Sequence, residues 1–266
     1  MVGQRHVVQS MRLLDRPGTP ALGVPTPGGP ACAAAGVAPP VGGLIVGLAV
    51  QLGLLVGLAA MVGIGPAGWT AAGAFALGTY AVLGGGMRRA GRPRLGPADV
   101  VTLSRAILVG GVVAAAGDAL TGSRPGPVVV ALAATALALD GVDGAVARRT
   151  GTASPWGARF DMEVDAALIL VLSVLLAQPV GLWVLAIGGM RYAFIAAGRF
   201  WPWLTAPLPP RRSRKIVAAT QGIVLVVAVA HVLPHPATVL AVQLALAALT
   251  WSFGRDARQL ARSAAR

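Results

Sequence analysis

The chain has 266 residues, of which 56% are hydrophobic and 12% charged, and its mean hydropathy is +0.74. A soluble domain carries about twice that share of charge, which excludes a water-soluble globule and makes the long apolar runs membrane spans. The net charge of +13 raises the question of a nucleic-acid partner, but no basic stretch is interleaved with aromatics for base stacking. The arginines gather where cytoplasmic loops and lipid headgroups favour them, so no nucleic acid is expected.

In chain order, residues 1–40 are rich in Pro and Gly and form an expected flexible cytoplasmic arm. The early arginines are not followed by an apolar core, so a signal peptide is not expected. The single cysteine, Cys32, excludes an intramolecular disulfide and any cysteine-based metal cluster. Eight apolar runs of helical length follow, near 41–62, 67–86, 100–118, 127–147, 160–178, 180–198, 215–233 and 236–254. Each approaches the roughly 20 residues that cross a bilayer as helix. None alternates as a membrane strand would.

The first two runs contain Gly43-x-x-x-Gly47 and Gly53-x-x-x-Gly57, spacings that permit close helix packing. Arginines cluster after the second, fourth, sixth and eighth runs, and Arg124 is the only basic residue in the loops between odd and even runs. The positive-inside rule then places both termini in the cytoplasm. Residues 255–266 form a basic cytoplasmic tail. No repeat relates the two halves, which disfavours an inverted-repeat transporter.

Five of the nine acids fall between Asp140 and Asp165, and the four aspartates among them lie at the ends of apolar helices. An acid inside a span is costly and marks a functional site by default. Asp140 and Asp143 are three apart, Asp161 and Asp165 four apart, so each pair shares a helix face. The linker from Arg148 to Arg159 contains Gly151, Ser154, Pro155 and Gly157. It is expected to fold the two helices into an antiparallel hairpin, so that the four carboxylates converge near the cytoplasmic surface. Bare carboxylates that close would repel unless cations lay between them. Oxygen donors favour Mg²⁺, Mn²⁺ or Ca²⁺, and two such ions in a carboxylate cage point to phosphate chemistry. Gly144 and Gly157 leave room for a diphosphate. Arg148 at the rim is suited to its oxygens or to bracing an Asp.

The run from Asp140 to Asp165 resembles the signature of the CDP-alcohol phosphatidyltransferase family, D-x-x-D-G-x-x-A-R-x(8)-G-x-x-x-D-x-x-x-D, at all eight fixed positions. The resemblance implies an all-α polytopic membrane protein, with a six-helix catalytic core at 87–254 preceded by two additional transmembrane helices at 41–86. It implies transfer of a phosphatidyl or similar phospho-alcohol group from a CDP-linked donor, such as CDP-diacylglycerol, to an acceptor hydroxyl, releasing CMP. It implies two Mg²⁺ (or Mn²⁺) ions, with Asp140 and Asp161 contacting both, Asp143 one, and Asp165 the other while also serving as base. Gly144, Arg148 and Ser154 fall at donor-binding positions. The stretch Ala98, Asp99, Val100, Val101 resembles a second nucleotide-contacting segment, against the plainer reading of Asp99 as a helix cap. A homodimer in the plasma membrane is expected on the same grounds.

Basic residues of later core helices in that family can bind a phosphorylated acceptor. Arg191 is the first candidate, because an arginine inside a span needs a partner. Arg212 and Lys215 are further candidates in a cluster that also reads as positive-inside flanking. Glu163 is expected to face water or Arg159. His231 and His235, and Trp201 with Trp203, read as interfacial residues. A cation transporter or channel is the alternative, but it leaves Gly144, Ala147, Arg148 and Gly157 unexplained.

Overall fold

A computed structural model describes residues 41–91, 94–123, 126–150, 154–206 and 212–264, with the side chains of 41, 143–150, 205 and 212 outside that description. The expectations placed on the arm at 1–40, Cys32 included, lie outside the described residues.

Four prolines, Pro66, Pro97, Pro127 and Pro155, each open a helix, where the missing N–H costs nothing and the fixed φ is already helical. The helices are α1 (Val41–Val62), α2 (Pro66–Arg89), α3 (Pro97–Ala119), α4 (Pro127–Thr150), α5 (Pro155–Ala177), α6 (Leu185–Phe200), α7 (Arg212–Val229) and α8 (His235–Ala264). Short 3-10 turns at Leu182–Val184 and Pro202–Thr205 flank α6. No strand occurs among the described residues. The expected sixth run is interrupted at its start, because Gly181 adopts a φ of 129° that a side chain would resist. By length and composition α1, α3 and α8 are long and apolar enough to cross a membrane. The outer surface of α1 presents Ile45, Val46, Leu48, Val50, Leu52 and Val56 more than half exposed or nearly so. Acyl chains solvate such a surface and water does not.

The packing centres on α3. Its buried residues include Ala106, Gly110, Gly111, Ala114, Ala116 and Gly117, and these small side chains let neighbours approach closely. A Cβ on Gly117 would stand 2.6 Å from the carbonyl oxygen of Ala67 on α2, and one on Gly111 would stand 2.9 Å from Leu132 on α4. Among the described residues α4 packs chiefly on α3, and α5 packs on α3, α6 and α7. The linker expected to fold α4 and α5 into a hairpin includes residues 151–153, which lie outside the described residues.

Of the two Gly-x-x-x-Gly pairs, the first lies at contacts. A Cβ on Gly43 would meet Leu95, and one on Gly47 would meet Leu103 and Tyr80. The second faces open space, with nothing near Gly53 or Gly57. At the other end of α3, buried Asp118 accepts hydrogen bonds from the amides of Gly65 (2.9 Å) and Gly68 (2.7 Å), capping α2 from a neighbouring helix. Asp118→Ala orphans both donors and is expected to cost about 1–3 kcal/mol. Thermal unfolding in detergent tests this, and an unchanged melt would show that the cap contributes nothing.

Candidate active site

The buried stripe of α5 runs Phe160, Val164, Leu168, Leu172 and Leu176, one residue per turn. Asp161 and Asp165 each follow a member of that stripe, so they stand at its edge and only partly reach solvent. Asp140 comes from α4. One carboxylate oxygen from each of Asp140, Asp161 and Asp165 lies within 4.8 Å of the others, a group able to hold a metal ion. The convergence expected of these three is present. Asp143, Gly144 and Arg148 lie on α4, but their side chains are outside the described residues.

Sequence reasoning missed the residue that organises the cluster. Arg105 of α3 is fully buried and points between α4 and α5. Its Nη1 donates to Asp161 and lies 3.2 Å from Asp140, its Nη2 donates to Asp165, and its Nε donates to the carbonyl of Ala136 at 3.1 Å. The signal was available: an arginine eight residues into an apolar helix demands acidic partners, the same logic applied to Arg191.

The start of α3 is shaped by Asp99, which is buried and accepts the amide of Gly96 at 2.8 Å through Oδ2. The N-cap position expected of Asp99 is held by Gly96, and Asp99 caps its amide from the third helical residue. Its Oδ1 would stand 3.1 Å from a Cβ on Gly157, which brings this stretch against the start of α5. Ala98 is buried beside it, Val101 is half-buried and Val100 is exposed. Ser154 caps α5, its Oγ accepting from the amide of Gly157 at 3.0 Å. Trp156 stacks on Phe160 and fills the space beside Gly86 of α2, where any Cβ would strike the indole. The second helix thus borders the segment that holds Gly157.

Arg191 has its partner in Glu163, whose Oε1 accepts from Nη2 at 2.5 Å. Glu163 still reaches water, as expected, but its ion-pair partner is Arg191 rather than Arg159, because α6 packs on α5. In the basic cluster before α7, Arg214 pairs with buried Asp256 at 3.2 Å, and Arg255 donates to Ser213 at 2.9 Å, tying α7 to α8. Lys215 is exposed, and the side chain of Arg212 is outside the described residues.

Fold and site together define an all-helical chain with membrane-spanning helices and a carboxylate cluster fit for a cation. The family model for CDP-alcohol phosphatidyltransferase matches residues 96–253, more than half of the chain, and the chain belongs to that family. The match opens one residue before α3 and closes within α8, leaving α1 and α2 outside it. No curated protein and no solved structure matches the chain. Family membership makes it a membrane enzyme of phosphatidyl transfer, acting between a CDP-alcohol donor and a hydroxyl acceptor.

Proposed function

We propose that the chain transfers the phosphatidyl group of CDP-diacylglycerol to an acceptor hydroxyl at the cytoplasmic face of the plasma membrane, releasing CMP. The observation that carries this is the convergence of Asp140, Asp161 and Asp165 from two helices onto one partly exposed point. Their hard oxygen donors suit Mg²⁺ or Mn²⁺, with Asp143 one turn from Asp140 completing a set for two ions. Bound there, divalent ions supply positive charge to the diphosphate as CMP departs.

The chain's own residues supply the rest. Asp165 accepts the acceptor's hydroxyl proton. The acceptor oxygen then forms a bond to the phosphorus bearing the lipid, and the bridging P–O bond breaks with its electron pair going to CMP. Gly144, Arg148, Ser154 and the stretch Ala98 to Val101 are proposed to flank the donor. The closeness of Asp99 to Gly157 supports one shared wall for the two segments. A channel lined by the same carboxylates finds no support, because fully buried Arg105 occupies the space between them. A homodimer rests on the family resemblance alone.

Purified protein incubated with labelled CDP-diacylglycerol and a panel of acceptors (glycerol phosphate, inositol phosphate, serine, phosphatidylglycerol) is expected to release CMP with one class, and chelation is expected to stop it. No release with any acceptor would overturn the donor assignment. For a phosphorylated acceptor, Arg191 is proposed to exchange Glu163 for the acceptor phosphate, and Arg212 and Lys215 to lie along its approach. Arg191→Gln is then expected to raise the acceptor's KM by about one to two orders of magnitude, the worth of a lost charged hydrogen bond. The donor's KM stays unchanged, and equal effects on both substrates would remove Arg191 from the acceptor site.

A further inference from the structure

The three described acids bring three negative charges to one point, against which α3 sets a single guanidinium. That guanidinium is 1% exposed, while the acids are 32–42% exposed. The cation is therefore the floor of the site and the carboxylates are its walls. An unpaired charge at this depth would be expelled or neutralised. Arg105 avoids this by placing each nitrogen of its fork on an acceptor, as the rigid planar geometry of arginine permits and a lysine does not. The bond from Nε to Ala136 is to backbone, so it survives any rearrangement of the carboxylates above it.

We propose that Arg105 is a positioning residue: a built-in counter-cation that holds Asp140, Asp161 and Asp165 together before any divalent ion arrives. The proposal rests on the reading of these acids as the cation site. Without Arg105, α4 and α5 would present mutually repelling carboxylates to one another, and the site would assemble only when a divalent ion supplied the missing charge. With it, the protein folds with the cluster already convergent, and the remaining negative charge still attracts divalent ions from the cytoplasmic side. The guanidinium neutralises one charge of three, so it lowers the repulsion without abolishing the demand for a cation.

Thermal unfolding in detergent, with EDTA or with saturating Mg²⁺, tests this on the wild type, Arg105→Met, Asp165→Asn and the double variant. The wild type is expected to gain in Mg²⁺ only the stabilisation of a bound ligand, less than Arg105→Met gains. Arg105→Met is expected to melt several degrees lower in EDTA and to recover most of that loss in Mg²⁺. Adding Asp165→Asn to Arg105→Met removes one of the repelling charges and is expected to restore part of the EDTA stability. If Arg105→Met alone does not yield folded protein, recovery of a monodisperse double variant is the positive result. An Arg105→Met melt equal to wild type in EDTA, or a double variant no better than the single, would overturn the proposal. Mn²⁺ binding followed by electron paramagnetic resonance separates the two ideas. A wild type that binds no Mn²⁺ removes the cation-site reading, while the EDTA melts still decide whether Arg105 neutralises the acids.

Discussion

Asp165→Asn is expected to lower CMP release by about two to four orders of magnitude, the usual worth of a positioned general base, while donor binding persists. The substitution is nearly isosteric, and its amide oxygen can still accept from Arg105 Nη2, the bond that ties Asp165 to α3. The fold and the positions of Asp140 and Asp161 are therefore retained. What disappears is the negative charge able to take the acceptor's proton, together with one hard donor to a cation. Separating these two losses needs a second measurement. If the loss is purely one of cation binding, raising Mg²⁺ restores the rate. If it is loss of the base, the deficit stays at saturating Mg²⁺ and narrows as the pH rises and the acceptor ionises unaided. Full activity in the variant would remove Asp165 from the chemistry altogether.

The second large effect concerns adjacent glycines on α6. A Cβ on Gly188 would stand 2.5 Å from the Cα of Leu170 on α5, a backbone atom that cannot rotate away. A Cβ on Gly189 meets nothing. Gly188→Val is expected to force α5 and α6 apart and to destabilise the protein by about 1–3 kcal/mol, the range for overpacked interiors. Gly189→Val is expected to stay within about 0.5 kcal/mol of wild type, as surface changes do. The same displacement should loosen the bond from Arg191 to Glu163, which spans these two helices. Thermal unfolding and acceptor KM, measured on both variants, check the pair of statements. Equal melts for the two would show that the helices shift freely at this contact.

The arrangement of α3 explains both where sequence reading succeeded and where it stopped. Most of each expected span falls on an observed helix, since apolar length and opening prolines are local properties. The pairing of Asp161 with Asp165 on one face is likewise local, because helical geometry alone sets it. Arg105 went unremarked because its partners are 31 to 60 residues away in the chain. Nothing local distinguishes it from an arginine flanking a loop except its depth in α3. Glu163 was assigned to water or Arg159 because only its own helix is legible in the sequence, and its partner Arg191 is supplied by another helix. Asp118 escaped notice for the same reason, since the amides it caps belong to α2.

From the sequence by itself came the membrane class, the helix succession and the spacing of the acids, together with the family they resemble. All follow from hydropathy, helical periodicity and a linear motif, which are written along one strand of chain. The tertiary structure alone decided that α3 packs on both α4 and α5, that Arg105 gathers three carboxylates, and that Glu163 holds Arg191. Those facts depend on which faces are small enough to meet. Helix-to-helix approach is determined by side-chain volume at contacts between distant segments, and a single sequence contains the volumes without the pairings.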